Sequence, residues 1–213
     1  MSHSPHDSAQ FIVLTGGPGA GKTAVLEVVR RNFCAHVTIL QEAASIVFGG
    51  GFPREPSDFG RRASQRAIFH VQRELEGIAA HYVTTQDRSG IVLCDRGTID
   101  GLAYWPGPKE QYLQEVGTTL GAELSRYALV LHLHPPPSRG RGYQSSALRI
   151  ESPEEALRID AEIEAAWAQH PRRVSIPHYE SFVEKVQHVL RVLRAELPPA
   201  CIAQCEALLA PQS

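Results

Sequence analysis

The sequence predicts an α/β fold, a doubly wound five-stranded parallel sheet with helices on both faces. Three observations carry that expectation. Five short runs, at residues 11–15, 37–40, 91–94, 128–133 and 173–176, are apolar nearly throughout rather than alternating. Strands covered on both faces have that pattern. Helix-like segments separate the runs, and strand–helix–strand alternation builds right-handed crossovers. The first run leads directly into a glycine-rich loop and then a helix-like segment. In sheets of this kind the residues just past each strand form the ligand site, so each strand end is read in turn.

Residues 1–10, MSHSPHDSAQ, have no charged n-region and no apolar h-region, and read as a disordered lead-in. One domain is expected over residues 11–197, followed by a tail at 198–213 with a short amphipathic helix near 200–209. The first strand, FIVLT, meets residues 16–23, GGPGAGKT, which fit G-x-x-x-x-G-K-[ST] at every fixed position. The glycines let successive N–H groups curl toward phosphate oxygens, and the helix N-terminus adds partial positive charge beneath them. Gly17, Pro18, Gly19, Ala20, Gly21, Lys22, Thr23 and Ala24 are therefore the nucleotide-binding candidates. Lys22 is placed to reach the β- and γ-phosphates, and the Thr23 hydroxyl to sit on Mg²⁺. An incidental glycine turn is the competing reading, and it leaves the flanking strand and helix unexplained. The motif speaks for triphosphate binding, not for a reaction.

A helix is expected over about 22–33, then the second strand, VTIL, which ends at Gln41-Glu42. A carboxylate there can take a proton from a substrate hydroxyl or hold a metal-bound water; a solvated glutamate at a helix start is the other reading. Residues 48–54, FGGGFPR, are glycine-rich without a Gly-Lys pair and read as a flexible segment. A long helix over about 58–86 opens at Pro56-Ser57-Asp58, a capping signal. Arg61, Arg62, Gln65 and Arg66 on its first turns are candidates for gripping an anionic or polar acceptor; most such charges are simply a solvated helix face, which is the competing reading for each.

The third strand, IVLC, runs into Asp95-Arg96-Gly97. Apolar residues ending in an acid look like a Walker B strand, whose carboxylate holds Mg²⁺ opposite Thr23. Arg96 adds a fixed cation beside the phosphates. Asp100 either faces the cleft or caps a helix, and Tyr104 and Trp105 either stack on a ring or pack in the core. A weaker helical pattern covers about 109–123. The fourth strand, ALVLHL, places His132 and His134 on one side, where they either bind a metal, with no third ligand visible, or pack at the strand end. No guanine-reading Asn-Lys-x-Asp follows any strand, which favours an adenine nucleotide. Residues 138–149 carry Arg139, Arg141 and Arg149 among glycines and serines. Such a loop is either solvated or a lid that closes over the triphosphate, excludes water and supplies arginines. Ser152-Pro153 opens the next helix, RVSI is the last strand, and a final long helix spans about 179–196.

The chain has 213 residues, with 43% hydrophobic and 21% charged, an ordinary composition for one α/β domain. A net charge of −2 provides no global attraction to nucleic acid or membrane, and no apolar stretch approaches membrane-spanning length. Cys34, Cys94, Cys201 and Cys205 do not suggest a disulfide framework in a chain this long. The expected compartment is reducing, hence cytoplasmic. Cys201 and Cys205, one helical turn apart, read as helix packing rather than a metal grip.

Taken together, FIVLTGGPGAGKT, VTILQEAAS, IVLCDRGTIDGLAYWPG, YALVLHLHPPP, SPEEA and VSIPHYESFVEKVQHVL resemble the AAA_28-type P-loop ATPase/kinase domain. That group includes the ribosylnicotinamide kinase domain of bacterial NAD-biosynthesis regulators, and the chain is also similar to deoxynucleoside and thymidylate kinases. The resemblance covers about residues 11–197. It implies the P-loop NTPase fold with strand order 2-3-1-4-5, an arginine-containing lid, and an ATP–Mg²⁺ site built from Gly19, Gly21, Lys22, Thr23 and Asp95. It also implies Glu42 as the base that activates the acceptor and Arg96 in the acceptor or phosphate site. Family members often read Tyr-x-x-Asp-x-x-Arg in the lid; here Tyr143 and Arg149 match while Ser146 stands in place of the acid.

The leading expectation is an ATP–Mg²⁺-dependent kinase acting on a nucleoside, nucleotide or similar hydroxyl compound. Lys22, Glu42, Asp95, Arg96 and Arg149 would be its working residues, with Arg61, Gln65 and Arg66 on the acceptor. Its expected partners are ATP and a small-molecule acceptor, with neither membrane nor nucleic acid. A switch ATPase acting through a protein partner is the reading from a different class. A polynucleotide 5′-kinase is a third, opposed by the net charge and by the lack of an aromatic-rich basic groove.

Overall fold

The computed structural model describes residues 9–33, 36–85, 90–137 and 152–197. Five strands, β1 (Gln10–Thr15), β2 (Val37–Leu40), β3 (Ile91–Asp95), β4 (Leu129–Leu133) and β5 (Arg173–Ile176), form one sheet in the order β2-β3-β1-β4-β5. Every pairing is parallel, with Leu14 opposite Asp95 and Thr15 opposite His132. The P-loop NTPase order expected from the sequence is thus the observed one. The strand sequence doubles back beside β1, and a crevice opens at the carboxyl ends there.

Strand alternation divides the core in two. Val13, Val92, Cys94 and Val130 face one side and pack with Phe69, Trp105, Tyr112, Ile159 and Trp167. These come from α3 (Asp58–Thr85), α4 (Lys109–Glu115), α6 (Pro153–Ala166) and the segments beside them. Ile12, Leu14, Leu93, Leu131 and Leu133 face the other side. They pack on Val25 and Val29 of α1 (Lys22–Asn32) and on Val186, Val189 and Leu193 of α7 (Phe182–Glu196). The same alternation turns His132 toward α6.

Several boundaries differ from the sequence reading, each for a local reason. A helix, α2 (Ala43–Gly49), begins directly after Glu42 and runs into the segment read as flexible. It stops where Gly51 turns left-handed, at φ 93°. The single helix expected over 109–123 is two, α4 and α5 (Leu120–Leu124). Gly117, at φ 72°, ends the first, and the Thr119 hydroxyl caps the second by accepting from the Ala122 amide. An unexpected 3-10 helix, Thr98–Ala103, follows β3, held by the Asp100 carboxylate accepting the Gly97 amide at 2.8 Å. The last helix starts at Phe182 rather than near residue 179. The expected caps on α3 and α6 are present: Ser57 accepts from Gly60 and Ser152 from Glu155, both at 3.2 Å. The expected tail helix, Cys201, Cys205 and the arginine-rich segment, with Tyr143, Ser146 and Arg149, fall outside the described residues. No helix among the described residues is long and apolar enough to cross a membrane.

Candidate nucleotide and acceptor site

The glycine loop bends where only glycine fits. Gly16 has φ 129°, and a Cβ there would lie 2.0 Å from the Leu133 carbonyl oxygen. Gly21, the residue before α1, is left-handed at φ 92°. Both conformations disfavour any side chain. Between them Gly17 donates its amide to Asp160 Oδ1 at 2.6 Å, and Ala20 donates to the Gly17 carbonyl at 3.3 Å. Pro18 has no N–H to give. Gly17 and Pro18 therefore shape the loop, while the amides from Gly19 onward remain the phosphate-facing candidates. Thr23 and Ala24 are exposed on the first turn of α1.

Lys22 is buried and folded back on its own loop, donating to the carbonyls of Gly16 at 2.7 Å and Gly17 at 3.0 Å. Burial pushes its pKa down to about 7; Arg96 adds to that, while Asp95, Glu42 and Asp100 oppose it. The lysine is thus held over loop carbonyls beside three carboxylates.

Asp95 closes β3 next to Leu14 of β1. Its Oδ1 is buried and finds no hydrogen-bond partner among the described residues. Burial pushes its pKa up to about 6, with the Lys22 charge pulling the other way. A buried carboxylate oxygen without a donor suits a hard cation. Asp95 thus fits a hard cation such as Mg²⁺; Thr23, the other residue the sequence names for it, is exposed on the first turn of α1.

Arg96 is the only non-glycine described residue at positive φ, 72°. Its amide donates to the Leu14 carbonyl at 3.1 Å, which locks the turn after β3. Its guanidinium bonds Glu42 Oε1 at 2.7 Å and reaches the Gly16 carbonyl and Asp100 at 3.4 Å. Glu42 also accepts from the Ser45 hydroxyl at 2.6 Å. Burial would raise the Glu42 pKa, but the Arg96 charge and these bonds outweigh it and hold the group below the usual range. Glu42 is thus an ionised acceptor, and each of its oxygens keeps a lone pair. Asp100 is buried and serves the frame: Thr15 Oγ1, the Gly97 amide and Trp167 Nε1 all donate to it. Both of its readings are realised: it caps the 3-10 helix and is among the residues that line the cavity beside Arg96.

From this centre a cavity of about 690 Å³ extends away from the loop. Pro18, Glu42 and Arg96 line it, as do Arg61, Gln65 and Tyr104. Arg66 departs from expectation: it is not among the lining residues, and its guanidinium bonds Glu115 of α4 at 2.5 Å. Arg62 likewise pairs with Glu115 at 3.7 Å and lies over Trp105. Trp105 is buried in the core with Tyr112, whereas Tyr104 is half-buried with Arg96 over its ring. Sequence reasoning missed Glu155, Arg158 and Ile159, one face of α6 that lines the cavity. It also missed Asp160, which joins His132 and His134 at 2.9 Å each. An acid about two helical turns past the Ser152 cap of α6 was the only available sign.

The family model described as an AAA domain, AAA_28, matches residues 11–185. No curated protein matches the sequence. Among solved structures, NadR in complex with NAD and AMP-PNP is similar at TM-score 0.61 and 17% identity, over 88% of this chain and 49% of that one. NadR in complex with NR is similar at TM-score 0.65 and 15% identity, over 88% and 51%. Thymidylate kinase from Ehrlichia chaffeensis is similar at TM-score 0.55 and 14% identity, over 87% and 98%. The chain spans about half the length of the NadR chains it matches.

Proposed function

The chain belongs to the AAA_28 family of AAA domains, and from that premise we propose that it is an ATP–Mg²⁺-dependent small-molecule kinase. It transfers the γ-phosphoryl group to a hydroxyl of a nucleoside, nucleotide or similar ribosylated compound. The observation that carries this reading is the cavity that begins at Pro18 of the phosphate loop and is lined by the Glu42–Arg96 pair. A hydrolase needs room for one water; a space of about 690 Å³ has room for a whole acceptor.

The geometry supports the following roles. Amides from Gly19 to Thr23 hold the phosphates, and Lys22 leaves the Gly16 and Gly17 carbonyls to pair with them. Asp95 and Thr23 would hold Mg²⁺, which when bound neutralises the charge that builds on the β- and γ-oxygens. Glu42 accepts a hydrogen bond from the acceptor hydroxyl and orients its oxygen. As that oxygen bonds to the γ-phosphorus, the bond to the bridging oxygen of the leaving diphosphate breaks and the hydroxyl proton passes to Glu42. Arg96 holds Glu42 ionised and stands beside the developing charge. Arg61, Gln65 and Tyr104 contact the acceptor body.

The test is ADP release with ATP–Mg²⁺ against a panel of nucleosides, nucleotides and ribosylated pyridine compounds, each compared with an acceptor-free blank. At least one acceptor class should raise the rate well above the blank. Glu42→Gln should lower that stimulated rate by about 10²-fold or more, the usual weight of a positioned base. A slow rate that no acceptor changes would instead speak for the switch ATPase. A Glu42→Gln variant with full acceptor-dependent rate would remove the base assignment.

A further inference from the structure

Beneath the phosphate loop lies a polar cluster that plays no part in the transfer scheme. His132 and His134 reach from β4 and its end, and Asp160 from α6. Asp160 Oδ1 meets Gly17 N at 2.6 Å and His132 Nε2 at 2.9 Å, and Oδ2 meets His134 Nδ1 at 2.9 Å. His134 Nε2 lies 2.8 Å from Ser175 Oγ on β5. His132 and Asp160 are buried, and His134 is half-buried.

We propose that Asp160 is a positioning residue of the phosphate loop: its carboxylate fixes the Gly17 amide, and the two histidines fix the carboxylate. The inference rests on the reading that the loop binds a triphosphate. With both imidazoles neutral, one protonation pattern satisfies the chain of contacts. His132 Nε2–H, His134 Nδ1–H and Gly17 N–H all donate to Asp160, and the Ser175 hydroxyl donates to His134 Nε2. Burial would raise the Asp160 pKa, but the bonds from His132, Gly17 and His134 outweigh it and hold the carboxyl below its usual range. The contact is also steric. A Cβ on Gly17 would lie 2.8 Å from Asp160 Cβ and 2.9 Å from the Ala156 carbonyl oxygen. The loop therefore starts from a fixed point on α6, and the amides beyond it are aimed before a ligand arrives. Such preorganisation appears as affinity. The adjacent α6 residues Ile159 and Arg158 line the acceptor cavity, so one helix supports both halves of the site.

The same three side chains present ligand-type atoms within 4.8 Å of one another. A metal there would displace the protons that join them and put the remaining His132 proton on Nδ1. That atom is buried with no partner among the described residues, so the metal form would leave a buried N–H unsatisfied.

The experiment measures AMP-PNP–Mg²⁺ affinity by calorimetry on the full chain, with amide exchange at Gly17 as a second readout. Asp160→Ala should weaken binding by about tenfold or more, the scale of one lost charge-assisted hydrogen bond, and should speed Gly17 exchange. Asp160→Asn should restore both to within about threefold of wild type, because a carboxamide can fill the same network once His134 changes tautomer. The carboxamide oxygen would then accept from Gly17 and His132 while the carboxamide nitrogen donates to His134. A purely structural loss would not be rescued in this way. If Asp160→Ala does not fold, His134→Ala is read instead and should weaken binding about threefold or more. A folded Asp160→Ala, or this substitute, with wild-type affinity and exchange overturns the proposal. So does an Asp160→Asn variant as impaired as the alanine. A stoichiometric Zn²⁺ isotherm for wild type that His134→Ala abolishes would replace it with a metal site. Failure of wild type itself to bind AMP-PNP would sink the nucleotide reading, while Gly17 exchange would still report whether Asp160 holds the loop.

Discussion

Lys22 and Asp95 are each displaced toward their neutral forms, and each displacement has a measurable consequence. Burial brings the Lys22 pKa down to about 7, whereas a bound triphosphate surrounds the amine with negative charge and restores it upward. Binding at pH 8 should therefore take up about one proton, read by calorimetry in buffers of different ionisation enthalpy. Affinity should fall as pH rises above about 7. Lys22→Arg, which stays charged throughout, should bind without that uptake. For Asp95 the folded pKa, about 6, lies above the ordinary 3.8. Its contribution to stability is thus fully present below pH 3.8 and lost as pH rises through about 6. Above that range an ionised carboxylate sits where burial opposes it. Asp95→Asn should then stabilise the ligand-free protein at pH 8 by on the order of 2 kcal/mol, with the gain vanishing in acid. The same variant should lose Mg²⁺-dependent nucleotide binding. Thermal melts at both pH values, with and without AMP-PNP–Mg²⁺, separate the two effects, and a destabilised Asp95→Asn at pH 8 would contradict the first.

Among the elements, the junction between the phosphate loop, β4 and α6 is the least forgiving. The missing Gly16 side chain lets the loop cross the end of β4 at the Leu133 carbonyl, 2.0 Å from where a Cβ would sit. Gly16→Ala should cost about 1–3 kcal/mol by overpacking and push the loop off its phosphate-binding shape. Denaturant unfolding and AMP-PNP titration should both register it. Gly49→Ala, in helix α2 with nothing near the added Cβ, should leave nucleotide binding unchanged and cost no stability, raising it by up to about 1 kcal/mol. This junction also marks how far the sequence could be read. The strands and long helices were legible because buried parallel strands are apolar throughout and α3 and α6 carry capping residues. The loop was legible because phosphate binding forces glycine and lysine to fixed spacings. Asp160 was not, because its partners lie 143 and 28 positions away in sequence, at Gly17 and His132. Only the packing of α6 on β4 brings them together. The same limit explains Arg66: a helix face shows three arginines, but only the position of α4 decides that Arg66 meets Glu115.

At the scale of the whole molecule, the sheet edge gathers into one crevice what the chain keeps far apart: the loop after β1, Glu42 after β2, Asp95-Arg96 at the end of β3 and Asp160 opposite β4. Each of these contacts joins a different pair of elements, so a ligand that binds there tightens the fold as a unit rather than locally. Mass action then sets the size of the effect. A ligand present at about 100 times its dissociation constant adds about 2.7 kcal/mol to the native state. For a domain of this length that corresponds to a rise in Tm of roughly 5–10 °C. AMP-PNP with Mg²⁺ should produce that shift in wild type, and Lys22→Ala should abolish it at the same concentration. An acceptor that occupies the cavity should add a further shift in the presence of the nucleotide, because α6 both lines the cavity and holds the glycine loop through Asp160. The acceptor panel can therefore be screened by melting temperature before any turnover is measured. A compound that raises Tm only with AMP-PNP bound is the one to take into the ADP-release assay. If every stabilising compound acts equally with and without the nucleotide, the cavity and the glycine loop are not coupled through α6.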